Sequence, residues 1–428
     1  MKTISERDQQ VNWHPYTQMQ TAGPPLAIVK GEGVWLTAED GAQYLDAISS
    51  WWVNLHGHNH PYVMDALRKQ TVQLDHVIFS GFTHAPAVEL SEALLDVLPT
   101  AHEKIFYSDN GSTAVEVGLK MTIQYHANQG AKKHTIIALR DGYHGDTFGA
   151  MSVGGRGIFS TPFENHLFHV EYIDVPIMGK EAESLHQLKE IIKHLDVAGF
   201  IFEPLLLGAA GMVIYAPEIL SEMIHLCKQN DIITIADEVS TGFGRTGKFF
   251  AANHLSHKPD IICMSKGITG GVMALGATST TAQVYNAFLS DDKSKMFLHG
   301  HSYTGNPLAC VVAKASLDVL QQDDTWTAIK RISHQHHEFT ETINTHPQVE
   351  DVRSLGVVLA VTVRSRSDET YFNYLRDRLY NFFIDRKILL RPLGNVIYMM
   401  PPYCINTDEL NIVYTAIMDL LDELQLVK

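Results

Sequence analysis

Four short stretches hold residue types that can do chemistry together. The first is DIICMSKGITGG at 260–271, where an apolar run ends on Lys266 and passes into glycines. Lysine is rarely buried, so the plain reading is a solvated residue where a strand surfaces. The chemical reading is an amine whose pKa falls on desolvation and which can then form a Schiff base. The second is IITIADEVSTGFGRTGK at 232–248, an apolar strand ending on the acids Asp237 and Glu238. The third is EKIFYSDNGSTAVEVGLKMTIQYH at 103–126, a strand that turns through Asn110, Gly111, Ser112 and Thr113 into a helix. Free N–H groups and the positive end of the helix dipole make such a turn an anion site, and Gly111 lets the anion approach closely. A simple N-cap is the alternative. The fourth is DGYHGDTFGAMS at 141–152, which sets Tyr143 among glycines on a loop where its ring could cover a flat group or pack at the core edge.

Two look-alike motifs fall away. GFGRTG at 242–247 matches G-x-G-x-x-G, but the acidic pair separates it from the strand and no helix start follows. Read as a P-loop it fails at Phe249, which cannot take the place of the magnesium-binding Ser or Thr. Histidine is abundant, with 23 residues, and His56, His58 and His60 alternate while His334, His336 and His337 cluster. Neither spacing is that of a converging ligand set, so no metal is expected; the second group is expected on a solvated helix face.

A desolvated amine, a carboxylate, a helix N-terminus and an aromatic plate are the four needs of pyridoxal 5'-phosphate (PLP): covalent anchoring, a protonated ring nitrogen, a phosphate site and a ring cover. Elements must bring them together. From about residue 60, amphipathic helices alternate with short apolar runs: EKIFYS, HTIIAL, VAGFIFEP, IITIADEV and DIICMS. Runs without polar alternation predict strands buried on both faces, and their alternation with helices predicts a parallel sheet of βαβ units. In such a sheet ligands sit beyond the carboxyl ends of the strands. The N-terminal part reads as short strands around a DG turn, and the stretch beyond 320 as α+β. The expected organisation is α/β: 1–59 and 321–428 together form a small α+β domain, and 60–320 a large domain with a mostly parallel central sheet flanked by helices.

The 428 residues are 45% hydrophobic and 19% charged, as in a soluble globular protein, and the formal net charge is −15. That balance argues against a nucleic-acid or anionic membrane surface. No stretch reaches the roughly 20 apolar residues of a membrane helix, and MKTISERDQQ has no apolar leader core. Cys227, Cys263, Cys310 and Cys404 lack C-x-x-C spacing and sit in apolar surroundings, which predicts reduced core thiols and a cytoplasmic protein.

DEVSTGFGRTGKFFA, SKGITGG and HGHSYTGNPLA resemble the signature segments of the class III, fold-type I PLP-dependent aminotransferases, and the resemblance covers nearly the whole chain. WHPYTQM, SSWWVNLHGHNHP, FSGFTHAPAVEL, GYHGDTFGAMSV and IYMMPPY are similar to one branch of that family. In that branch an amino group passes from S-adenosylmethionine to 8-amino-7-oxononanoate, giving 7,8-diaminononanoate in biotin biosynthesis, by ping-pong exchange through pyridoxamine phosphate. The resemblance implies Lys266 as cofactor anchor and proton carrier, Asp237 as the pyridinium partner and Tyr143 as the ring cover. It implies Gly111 and Ser112 as phosphate ligands. It also implies a homodimer with shared sites, in which Ser302 reaches the other subunit's phosphate where the family usually has threonine. Tyr16, Trp51, Gly300 and Arg391 correspond to the substrate wall, with Trp52 turned away; Arg391 suits a carboxylate, or a structural ion pair. The family's E-P-x-x-Q-G-x-G-G reads EPLLLGAAGM here, so Leu207 replaces the glutamine and Ala210 a glycine, while Glu203 remains. Asp146, Glu203 and Arg245 receive no specific role. Alternatives are lysine as donor, a class III enzyme for ω-amino acids or diamines, a PLP-dependent aminomutase, and a PLP-sensing regulator, for which no basic DNA-binding extension is present.

Overall fold

The computed structural model describes residues 2–365 and 375–426. Its centre is a seven-stranded sheet in the order His102–Ser108, Gly276–Thr281, Ile261–Met264, Ile233–Asp237, Val197–Phe202, Thr135–Leu139, Glu171–Ile173. The last five pair in parallel, and Gly276–Thr281 runs antiparallel to both of its neighbours. His102–Ser108 therefore points the same way as the parallel strands. The consequence decides where chemistry can occur: six strands end on one edge, and the sequence stretches singled out above follow those ends. The protein is α/β with a mostly parallel central sheet, as predicted.

Strand Gly276–Thr281 was not foreseen, because GATSTT lacks an apolar run, yet all six residues are buried. Two of its hydroxyls find partners: Thr278 Oγ1 donates to Ala114 O (2.8 Å) and Ser279 Oγ meets His102 Nδ1 (2.9 Å), whereas Thr281 Oγ1 is buried without one. Helix Gly111–Asn128 lies against the sheet. A Cβ on Gly118 would stand 3.0 Å from Cys263 Sγ and 3.4 Å from Ile235 Cγ2, so the glycine lets the helix sit close to the strands.

Both chain ends build the smaller sheets. Ile28–Glu32, Trp35–Ala38 and Gln43–Asp46 form an antiparallel meander, with the predicted Asp40-Gly41 turn between the last two. Ile388–Leu389 adds to it in parallel from the far end of the chain. Val349–Leu355, Val358–Val363 and Val396–Met399 form a separate antiparallel sheet, and helices Asp323–Ile343 and Thr407–Leu426 belong to this half. Among the described residues no helix is long and apolar enough to cross a membrane.

Two expectations are corrected. Cys227, Cys263 and Cys310 are buried, but Cys404 is an exposed residue, at the end of the MMPPY turn rather than in the core. His334 and His337 lie on the solvated face of their helix, whereas His336 is fully buried. Its ring meets Tyr414 Oη (2.7 Å) and Val357 O (3.2 Å), and burial holds its pKa down at about 3, so it stays neutral.

Candidate active site

Asp237 closes the central strand Ile233–Asp237 and is buried. One carboxylate oxygen accepts from Val239 N (3.0 Å) and the other lies 2.7 Å from His144 Nδ1. His144 is itself buried, and its Nε2 has no hydrogen-bond partner. The histidine follows Tyr143 in the loop after Thr135–Leu139. Sequence reasoning missed it, since its link to Asp237 spans 93 residues.

Tyr143 is half-buried and held at its backbone: its N–H donates to Glu203 Oε1 (2.9 Å). Glu203 Oε2 accepts from Gly208 N (2.9 Å), so one carboxylate ties the Tyr143 loop to the Leu207 loop. Burial pushes Glu203 up to about 7, against the lowering effect of the His144 charge. Leu207 itself is fully buried in a short strand, Leu206–Leu207, paired with Val213–Ile214. Without a glutamine, this loop is fixed by core packing and by Glu203.

Lys266 follows Ile261–Met264 on the neighbouring strand, at φ 46°, a left-handed conformation unusual for a residue with a side chain. Its Nζ lies 4.2 Å from the ring centroid of Trp52. Part of the residue faces a cavity shared with Val53, Ser265 and Thr269, yet the amine is poorly solvated. Desolvation brings its pKa down to about 8; the charges of Asp237 and Glu203 act upward and that of Arg245 downward. No carboxylate lies at ion-pair distance from this amine among the described residues.

Gly111 and Ser112 open their helix, with Asn110 as N-cap: Asn110 Oδ1 accepts from Thr113 N (3.0 Å). That leaves the Gly111 and Ser112 amides outside the helical ladder. Ser112 Oγ accepts from Asp146 N (3.2 Å), which ties the anion turn to the Tyr143 loop.

On the outer side stand Tyr16, Trp51 and Arg391. Tyr16 Oη lies 3.1 Å from Tyr143 Oη and donates to Asp146 Oδ2. The rings of Tyr16 and Trp51 meet edge to face at 5.5 Å, and the Arg391 guanidinium lies 4.7 Å from the Trp51 ring centroid. Burial pushes the Tyr143 hydroxyl upward, helped by Tyr16 and Asp146, so it stays a phenol and a donor. No acid pairs with Arg391 among the described residues, which disfavours the structural ion pair. Tyr16 and Arg391 line an open cleft of about 1510 Å³ between the N-terminal segment and the 376–392 region. Trp52, by contrast, is buried, and its Nε1 donates to Tyr398 Oη (3.1 Å).

The turn that presents these tryptophans is strained. Ser49, Ser50, Trp51 and Trp52 have φ of 50°, 48°, 86° and 73°, a left-handed run closed by Trp52 N to Ile48 O (2.8 Å) and Val53 N to Ser49 O (3.0 Å). Each left-handed residue with a side chain costs about 1–2 kcal/mol. Such strain persists only where surroundings over-determine it.

Arg245 is fully buried and takes a scaffold position: its guanidinium donates to Pro401 O (2.9 Å) and Trp52 O (3.3 Å). Gly300 and Ser302 are exposed, and among the described residues neither hydrogen-bonds to the Lys266 group. His56 and His58 are engaged with Ser316 Oγ (3.0 Å) and Asp46 Oδ2 (2.9 Å).

The sequence profile described as Aminotransferase class-III matches residues 16–421. Adenosylmethionine-8-amino-7-oxononanoate aminotransferase of Synechococcus elongatus is 43% identical, with 96% of this chain and 98% of that protein covered. The Helicobacter pylori protein of the same name is 38% identical, with 99% of each covered. Among solved structures, the enzyme of that name from Methanocaldococcus jannaschii superposes with a TM-score of 0.93 at 35% identity, over 98% of each chain. A PLP-bound amine transaminase from an uncultivated Pseudomonas species gives 0.89 at 30% identity, over 95% of this chain and 97% of that one.

Proposed function

Since the chain belongs to the class III aminotransferases, enzymes that work with PLP, we propose that it transfers an amino group from S-adenosylmethionine to 8-amino-7-oxononanoate in biotin biosynthesis, as a cytoplasmic homodimer. The observation that carries the acceptor is the meeting of Tyr16, Trp51 and Arg391, which has no acidic partner among the described residues, beside the Tyr143 loop. A bidentate guanidinium suits the terminal carboxylate of the acceptor, and the aromatic rings suit its aliphatic chain.

The residues present fit the cofactor. A buried carboxylate, two free amides at a helix start and a desolvated amine follow strand ends on one edge of the sheet. When bound, PLP supplies an electrophilic carbon and an electron sink through its ring nitrogen. Asp237, oriented by His144, would keep that nitrogen protonated. Gly111 and Ser112 would hold the phosphate. Tyr143, fixed through Glu203, would cover the ring. Lys266 Nζ, released when a substrate amine takes its place, would carry the proton between substrate carbon and cofactor, which requires the amine to be neutral near working pH. The same base serves both halves of a ping-pong cycle. The partner subunit's Ser302 and Gly300 would complete each site; both are exposed in the single chain, beside exposed Leu298 and Tyr303. We also retain 1–59, 60–320 and 321–428 as the domain division.

The test is product formation. Purified protein with PLP and 8-amino-7-oxononanoate should yield 7,8-diaminononanoate, detected by mass, when S-adenosylmethionine is the donor. Product with lysine alone would change the donor and keep the acceptor. Turnover of ω-amino acids with no diaminononanoate would overturn the proposal.

A further inference from the structure

A group outside the reacting atoms accounts for the left-handed turn at 49–52. Asp46, at the end of strand Gln43–Asp46, is completely buried. Its Oδ1 accepts from Ile48 N (3.2 Å) and Ser50 N (3.0 Å), and its Oδ2 from Ser50 Oγ (2.7 Å) and His58 Nε2 (2.9 Å). Four donors thus converge on one carboxylate, two of them from Ser50 within the turn and one from Ile48 just before it. Ser49 adds a bond from its hydroxyl to Met400 O (2.8 Å). The network extends past His58. In the amide orientation that satisfies both ends of Asn54, its oxygen lies 3.0 Å from His58 Nδ1. Its nitrogen then donates to Gly57 O (3.1 Å) and to Gly270 O (3.0 Å). Gly270 is the left-handed cap of the short helix Lys266–Thr269.

We propose that Asp46 and His58 form a positioning unit for substrate specificity: the buried carboxylate imposes the left-handed turn that aims Trp51 at Tyr16 and Arg391, and the histidine couples that turn through Asn54 to the segment carrying Lys266. Neither residue touches the reacting atoms. The inference rests on the reading of Trp51 as substrate wall. A carboxylate is required because four donors must be accepted at once; an amide in its place turns a donor toward two of them. Trp51 is then free to relax, and the acceptor loses its aromatic surface before the chemistry changes.

The experiment measures KM and kcat for 8-amino-7-oxononanoate on the PLP-loaded enzyme and three variants. Trp51→Ala and Asp46→Asn should each raise KM about tenfold with kcat kept within about threefold, the split expected when ground-state binding is lost. The cofactor's visible absorbance should be unchanged. Adding Ser50→Gly to Asp46→Asn should return KM to within about threefold of the parent, because glycine takes the left-handed φ without steric cost. If Asp46→Asn fails to fold, Ser50→Ala alone, which removes one bond to Asp46, should still raise KM about threefold. A raised KM in Trp51→Ala with none in the Asp46 and Ser50 variants would overturn the positioning role. An unchanged KM in Trp51→Ala would instead overturn the substrate-wall reading, and this inference with it. Loss of kcat at constant KM in Asp46→Asn, or no rescue by glycine, would mark Asp46 as a general stabiliser only.

Discussion

Lys266 is the proposed cofactor anchor, and its environment makes a signed prediction. Burial lowers its pKa from 10.5 to about 8, so the neutral amine is the minor form below that value and the major form above it. The rate at which cofactor-free protein captures PLP should therefore rise with pH through about 8 and level off; a midpoint near 10.5 would show a solvated amine. Lys266→Ala should abolish turnover and leave PLP held only by the non-covalent contacts, read as loss of the cofactor on gel filtration. Arg391→Ala should raise the acceptor KM by roughly 10–150-fold, the equivalent of about 1.5–3 kcal/mol for hydrogen bonds to a charged group. Much of this was legible from residue type alone: a lysine and an aspartate ending apolar strands are conspicuous because the core has little use for them. His144, Glu203 and Asp46 were not, because a buried polar residue declares itself only through partners distant in sequence, such as the 93 residues between His144 and Asp237. His336 misled for the mirror-image reason: its sequence neighbours are solvated, and Tyr414 buries it from another helix.

At the scale of elements, the site exists because strands His102–Ser108, Ile233–Asp237 and Ile261–Met264 end on one edge while the intervening Gly276–Thr281 runs the other way. Apolar runs revealed the parallel strands except the three-residue Glu171–Ile173; the antiparallel one carries Thr and Ser, of which Thr278 and Ser279 are satisfied by neighbours, so its burial leaves no hydrophobic trace. The loops at that edge are tightly fitted. Gly145 has φ 129°, and a Cβ there would stand 2.1 Å from Ser112 Oγ and 2.9 Å from Ser112 Cα. Gly145→Ala should push the Tyr143 loop away from the phosphate turn. The expected cost is about 1–3 kcal/mol in PLP affinity, roughly 5–150-fold in Kd by titration. Unchanged affinity would mean that the two loops do not depend on one another. The left-handed turn at Trp51 lay beyond sequence reasoning altogether, since no glycine marks it.

At the scale of the whole molecule, the acidic chain with its shared small-domain sheets is proposed to act as a dimer, and that has its own test. Lys266→Ala removes the amine of a subunit's own site, whereas Ser302→Asp sets a repelling charge against the other subunit's phosphate. After subunit exchange in an equal mixture, half of the dimers are hybrids with one intact site of two, so activity should recover to about a quarter of the parent's. No recovery would place Ser302 within its own subunit's site or outside the sites altogether. The central claim, amino transfer through one cofactor from a donor to 8-amino-7-oxononanoate, is tested most directly by the separated half-reactions. PLP-loaded protein is mixed with S-adenosylmethionine alone and the visible absorbance of the cofactor is followed, and the acceptor is then added. The account predicts bleaching by the donor and its reversal by 8-amino-7-oxononanoate. Bleaching by S-adenosylmethionine or lysine that the acceptor cannot reverse, together with reversal by an unrelated oxo compound, would contradict it.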